Sequence, residues 1–192
     1  MVSASTKTGI TITVARNAIQ DAASWVTGRS AGFLAAESGA SGKKAKEMAF
    51  HLVEELVEKS EFRTMDPKWQ EPLMKKLVED DPFIQFAYVI DTEGRKTTRN
   101  ITQVVDKAKY EKFGISEDFS NRDWFLQPIK TGKTYITDFY KSVMTGALCI
   151  TVSAPSRNIE EEIVGIFGMD IKFEELLKMV NDTDFEEEVI QK

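Results

Sequence analysis

Cysteine and histidine are nearly missing from this chain: Cys149 and His51 stand alone among 192 residues. One cysteine excludes an intramolecular disulfide, and one of each cannot build a zinc cluster of nitrogen and sulfur ligands. Proline and glycine are sparse, at five and eleven, which excludes collagen-like and low-complexity architectures. Long apolar runs are lacking too. The longest stretch without a charge, Ser142 to Ser156, contains three serines, two threonines and a proline, whereas a membrane-spanning helix needs about 20 mostly apolar residues. Met1 to Ile10 has one lysine and no apolar core of a secretory signal. Positive charge is in the minority, 25 Lys and Arg against 31 Asp and Glu, and a net charge of −6 argues against a nucleic-acid surface. No phosphate-binding glycine loop, dinucleotide fingerprint or nucleophile elbow occurs. Neither a metal nor a cofactor is expected.

What is present is enough for one folded domain with an extension: 42% hydrophobic and 10% aromatic residues in a length that buries most of its apolar surface. Residues 1–42 are rich in Ala, Ser, Thr and Gly and read as a helical extension, with helix over Val14–Thr27 and Ala31–Glu37 and a break at Ser38 to Gly42. From Lys43 to Ser60 the apolar residues Ala45, Met48, Ala49, Leu52, Val53, Leu56 and Val57 recur at helical spacing. Asp66-Pro67 starts another helix and Asp81-Pro82 stops it. Phe83 to Ile90 reads as a buried strand, and Arg95 to Asn100 as a polar return strand near an edge. A helical connector is expected over Val104 to Phe113, and a loop with a short helix from Asp118 to Gly132. Strands follow at Thr134–Ser142, Ala147–Ser153 and Ile163–Ile171, then a helix carrying Phe173, Leu176, Leu177 and Val180. Residues 182–192 form an acidic, solvated tail. Strands joined by hairpins predict an α+β fold, an antiparallel five-stranded sheet with a long N-terminal helix and helical connectors over the sheet.

Between residues 118 and 177 the sequence becomes specific. Asp118-Phe119-Ser120-Asn121-Arg122-Asp123-Trp124-Phe125, Gly132-Lys133-Thr134-Tyr135, Thr137-Asp138-Phe139-Tyr140, Ile150-Thr151-Val152-Ser153-Ala154-Pro155 and Ile163 to Ile171, with Gly165, Gly168 and Asp170, come in order. Together they resemble the Cache family, also called PDC or extracytoplasmic PAS-like sensors. The hairpin around Val89-Ile90-Asp91 and Gly94 resembles the family's first hairpin. The likeness covers about residues 43–181 and implies a single sensor domain that binds a small molecule, often an amino acid or short carboxylate. Amino-acid binders of the family carry Tyr, then Arg-x-Trp-Tyr, then a later Tyr and Asp. Here Arg122 and Trp124 match the Arg-x-Trp step, Tyr140 the later Tyr and Asp170 the Asp, while Phe125 stands where a tyrosine is usual. The resemblance thus implies a site formed by Arg122, Trp124, Phe125, Tyr135, Asp138, Tyr140 and Asp170.

From the residues alone, Arg122 offers paired donors suited to a carboxylate, or else pairs with Asp118 or Asp123. Asp138 and Tyr140, two apart on a strand, share a face. Asp170 requires a partner, either a ligand cation or the amides of the following helix. Cys149 reads as a small buried hydrophobe. The first expectation is a non-catalytic, ligand-binding sensor with a separate signalling partner and a homodimer contact through the Lys43–Ser60 helix. The alternative is a PAS-like interaction protein whose pocket is filled by its own side chains. An enzyme is disfavoured because no nucleophile–base pair or metal set can be assembled. The chain is expected to be cytoplasmic if complete, and otherwise an extracytoplasmic sensor region excised from a membrane receptor.

Overall fold

The computed structural model describes residues 39–103, Tyr110 and 113–190. The expected helices within 1–42 and the connector at Val104 to Phe113, apart from Tyr110 and Phe113, lie outside the described residues. Helix α1 spans Ala40–Val57 and a short α2 spans Ser60–Arg63. Ala45, Ala49, Val53 and Leu56 are the buried stripe of α1, whereas Met48, at the stripe's edge, is exposed. Helix α3, Pro67–Asp80, begins as its sequence dictates: the Asp66 carboxylate accepts a hydrogen bond from the Lys68 amide at 2.9 Å, and Pro67 opens the first turn.

A long strand and a very short one come next. Strand β1 is Ile84–Asp91 and β2 is Ile101–Thr102. After helix α4, Asp123–Thr131, come β3 (Tyr135–Ile136), β4 (Tyr140–Lys141), β5 (Leu148–Arg157), β6 (Ile163–Lys172) and helix α5 (Phe173–Ile190). They form one antiparallel sheet in the order β2-β1-β6-β5-β3, with β4 also paired to β5. The fold is therefore α+β, as expected.

Details differ. The sheet has six strands rather than five, because the stretch expected as one strand from Thr134 to Ser142 is broken into β3 and β4. Between them the Thr137 amide still donates to the Thr151 carbonyl at 3.0 Å, but it is the Thr137 hydroxyl that accepts from the Thr151 amide, at 2.9 Å, and Asp138 is exposed. Asp138 and Tyr140 therefore do not share one regular strand face. The return strand lies at Ile101–Thr102 instead of Arg95–Asn100; only Lys96 of the earlier stretch forms a bridge, to Ile90. Strand β5 runs on through Pro155 to Arg157, beyond the expected end at Ser153. Helix α5 continues to Ile190, across most of the stretch expected as a tail.

The sheet's two faces have different chemistry. Ala87, Val89, Ile150, Val152, Phe167, Met169 and Ile171 share one face by strand alternation and are wholly buried. Phe62 of α2 meets Phe167 there edge-on at 5.0 Å. The other face carries Phe86, Tyr88, Ile90, Ile166, Gly168 and Asp170, and across from them Thr151 and Ser153. Helix α4 lies over this second face, against β5 and β6. Its start is pinned by the Ser153 hydroxyl, which donates to the Trp124 carbonyl at 2.6 Å. Its end is set by Gly132, whose φ of +67° is the left-handed turn that glycine adopts freely.

Phe125 belongs to this packing and does not line the cavity described below. It is 3% exposed and sits in a cluster with Phe86, Tyr88, Ile90, Phe119 and Ile166. Replacing it with alanine is expected to cost about 3–5 kcal/mol in chemical denaturation, the usual penalty for emptying an aromatic site.

Candidate ligand-binding site

A cavity of about 580 Å³ opens between the second sheet face, the start of α4 and the loops at 113–121 and 137–144. Every sequence-predicted site residue lines it except Phe125, which lies in the core described above. Asp170 is its deepest charge, only 9% exposed. Its Oδ1 accepts from the Tyr88 hydroxyl at 3.1 Å and from the Thr151 hydroxyl at 2.8 Å, and Thr151 Oγ1 also shares a hydrogen bond of 2.9 Å with the Tyr140 hydroxyl. Asp170 caps no helix: β6 continues two residues beyond it before α5 starts. Burial raises its carboxyl above the usual range, against the opposing pull of the Thr151 hydroxyl, Lys96, Tyr88 and Tyr140. The phenols of Tyr88 and Tyr140 are also raised, by burial first and by the nearby Asp170 charge second.

Arg122 takes the N-cap position of α4 with extended backbone and is solvent-exposed at the cavity edge. Among the described residues its guanidinium pairs with neither Asp118 nor Asp123; the Asp118 carboxylate instead accepts from the Ser120 amide at 2.8 Å. Trp124 is half-buried, with its ring 5.6 Å from those of Tyr88 and Phe119. Tyr135 lines the cavity from β3, and Asp138 from the exposed break after it. Together these supply a free guanidinium, an aromatic wall, and a buried carboxylate wrapped in hydroxyl groups.

Among the wall residues that the sequence motif does not include are Tyr88, Lys96 and Thr151. Thr151 had a signal, because Cys149, Thr151 and Ser153 alternate with Ile150, Val152 and Ala154, which gives one apolar face and one polar one. Tyr88 in an otherwise apolar strand carried a similar hint. Cys149 itself is buried, its thiol donates to Gln85 Oε1 at 3.1 Å, and burial pushes its pKa up to about 12. It is not a nucleophile at neutral pH. Among the described residues no group of three or more His, Cys, Asp or Glu is placed to hold a metal.

Residues 70–178, more than half of the chain, match the family described as methyl-accepting chemotaxis protein-like, first PDC sensor domain. The chain belongs to this family. Solved structures with the same fold include the sensory domain of the Campylobacter jejuni chemoreceptor Tlp3, with a TM-score of 0.58 and 16% identity over 71% of this chain and 57% of that one. The ligand-binding domain of the Pseudomonas aeruginosa amino acid chemoreceptor PctB, in complex with L-Arg, gives 0.52 and 19% over 73% and 55%. That of the amino acid chemoreceptor PctC, in complex with GABA, gives 0.54 and 20% over 81% and 64%. At such identities the likeness is one of fold.

A curated relative is much nearer in sequence. It is 51% identical over 135 residues, 70% of this chain, and is named Citrate (Re)-synthase, from Syntrophus aciditrophicus. The chain spans only 22% of that relative's length. The matched 135 residues thus correspond to a minor part of a longer protein. No helix among the described residues is long and apolar enough to cross a membrane.

Proposed function

We propose that this PDC sensor domain binds a small carboxylate-bearing molecule, an amino acid or short organic acid, and performs no chemistry on it. The observation that carries this reading is a guanidinium unpaired among the described residues and a buried carboxylate lining the same cavity. Arg122 takes the ligand carboxylate, with the Trp124 indole beside it. Asp170 and Tyr140 take the polar end, where an ammonium gains most because it compensates a carboxylate that burial disfavours. The open cavity of about 580 Å³ speaks against a pocket filled by its own side chains. That the solved relatives are described with amino acids or GABA agrees with it.

Calorimetric titration with a panel of amino acids and short carboxylates tests this. Arg122→Ala is expected to weaken the best ligand by about 10- to 150-fold, the loss of a hydrogen-bonded charge contact worth about 1.5–3 kcal/mol. Affinity unchanged by Arg122→Ala removes the anchor, and no binding by any compound removes the reading.

The relative named Citrate (Re)-synthase favours a second reading for the output. In it the module reports a ligand to a catalytic partner, in the same chain or as a separate signalling partner, and citrate therefore belongs in the panel. A homodimer through residues 43–60, where Met48 is exposed on α1, is the accompanying proposal for how a signal leaves the domain. A ligand shifts such a contact only as far as it binds the two states differently. An extracytoplasmic sensor region suits the family, and nothing in these similarities supports the cytoplasmic location expected above.

A further inference from the structure

Lys96 is placed by the tight return after β1. It bridges to Ile90, and the neighbouring Thr97 amide donates to the Val89 carbonyl at 2.9 Å. This brings the Lys96 side chain across the cavity wall, with Nζ 4.4 Å from the Tyr88 ring centroid and 5.2 Å from that of Phe119. Nζ donates to Asn100 Oδ1 and, at 3.3 Å, to the Phe113 carbonyl. An ammonium has three donors, so one remains, on a residue that lines the cavity. Both partners are neutral. Among the described residues no carboxylate forms an ion pair with it. Asp170 on β6 and Glu117 on the 113–121 loop are the charges that face it, with the Tyr88 hydroxyl on β1. Asp170 is instead engaged by the hydroxyls of Tyr88 and Thr151.

A cation drawn out of water over two aromatic rings, without a counter-ion, is costly, and the cost falls when an anion is delivered to it. Burial accordingly lowers the Lys96 pKa to about 8. Arg122 is the second cation on the same cavity that is unpaired among the described residues. We propose that Lys96 recognises a second anionic group and that the ligand of this site is a small di-acid. This rests on the assignment of Arg122 as the first carboxylate anchor. Lys96 sets which ligand is preferred; it does not replace that anchor.

The test is calorimetric titration of the whole chain with matched pairs: L-glutamate against L-glutamine, L-aspartate against L-asparagine, and glutarate and succinate as di-acids without an amine. Wild-type protein is expected to bind the di-acid of a pair at least about tenfold more tightly than its amide. Lys96→Met is expected to erase that preference while changing glutamine or asparagine affinity by less than about threefold. A preference for glutamate over glutarate assigns the ammonium to Asp170, and the reverse identifies a plain dicarboxylate; both support the di-acid.

A pH series on the wild type guards against a variant that misfolds. Between pH 7 and 9 the preference for glutamate over glutamine is expected to fall as Lys96 loses its proton, by up to about tenfold per unit above its pKa. The Asp170 charge repels the second carboxylate but not the amide, so the series is repeated on Asp170→Asn, where a fall in the ratio that persists is assigned to Lys96. Equal affinity for acid and amide in the wild type, or equal weakening of both by Lys96→Met, overturns the proposal while leaving Arg122 as anchor. Binding that ignores Arg122→Ala overturns the underlying site.

Discussion

An Asp170→Asn chain is expected to melt at a higher temperature than the parent at pH 8 and to bind zwitterionic amino acids at least about 100-fold more weakly. Asp170 is 9% exposed and burial raises its pKa. A carboxyl whose folded pKa lies above its unfolded value favours the folded state below the unfolded pKa. That contribution is lost as pH rises through the folded pKa. At pH 8 the charge therefore works against folding. Asparagine keeps an oxygen for the Tyr88 and Thr151 hydroxyls, which now bond at 3.1 and 2.8 Å, and sheds the charge. A ligand ammonium loses its counter-ion, and breaking a buried charge pair from one side costs about 3–5 kcal/mol, at least about 100-fold in affinity. Thermal melts at pH 5 and pH 8 check the sign: the gain should be larger at pH 8. A variant less stable than the parent at both pH values contradicts this account of Asp170.

Gly168→Ala is expected to damage both the fold and the site. Gly168 lies opposite Tyr88 in the β1–β6 ladder, and a Cβ there would meet Tyr88 Cε2 at 2.4 Å and Cζ at 2.9 Å. The absent side chain is what lets the Tyr88 ring lie across the sheet toward Asp170. Because the ring is wedged between Trp124 at 5.6 Å and the Lys96 ammonium at 4.4 Å, it has little room to give way. Forcing one extra carbon into such packing costs about 1–3 kcal/mol. The displaced hydroxyl would also leave Asp170. Chemical denaturation should show the loss, and titration a fall in affinity larger than that of Phe125→Ala. Wild-type affinity in Gly168→Ala would show that the Tyr88 hydroxyl contributes nothing to the site.

The fold could be read from the sequence wherever periodicity was strong. The α1 stripe, the Asp66-Pro67 start of α3, and the apolar runs of β1, β5 and β6 all follow from local pattern. The missed edge strands share a cause: short segments are held by single hydrogen bonds that composition does not reveal. Thr134 to Ser142 alternates like a strand, yet the Thr137 hydroxyl takes the Thr151 amide and splits it. The candidate residues Arg122, Trp124, Tyr140 and Asp170 follow from a motif, and they line one cavity. Phe125, adjacent in sequence to that motif, is buried inside the aromatic cluster that Trp124 only borders, so Trp124 reaches the cavity and Phe125 does not. Lys96 had no signal at all, since a lysine in a turn is ordinarily solvated and only the tertiary contacts of Phe113, Asn100 and Tyr88 enclose it.

The central claim is that the cavity over β1, β5 and β6 holds a small carboxylate between Arg122 and Asp170. A crystal structure of the chain grown with the tightest-binding member of the panel tests it most directly. The account predicts one molecule in that cavity, its carboxylate within hydrogen-bond distance of the Arg122 guanidinium and its other polar end against Asp170. A cavity closed by its own Phe113 and Val143 side chains, with the compound bound elsewhere, would contradict it.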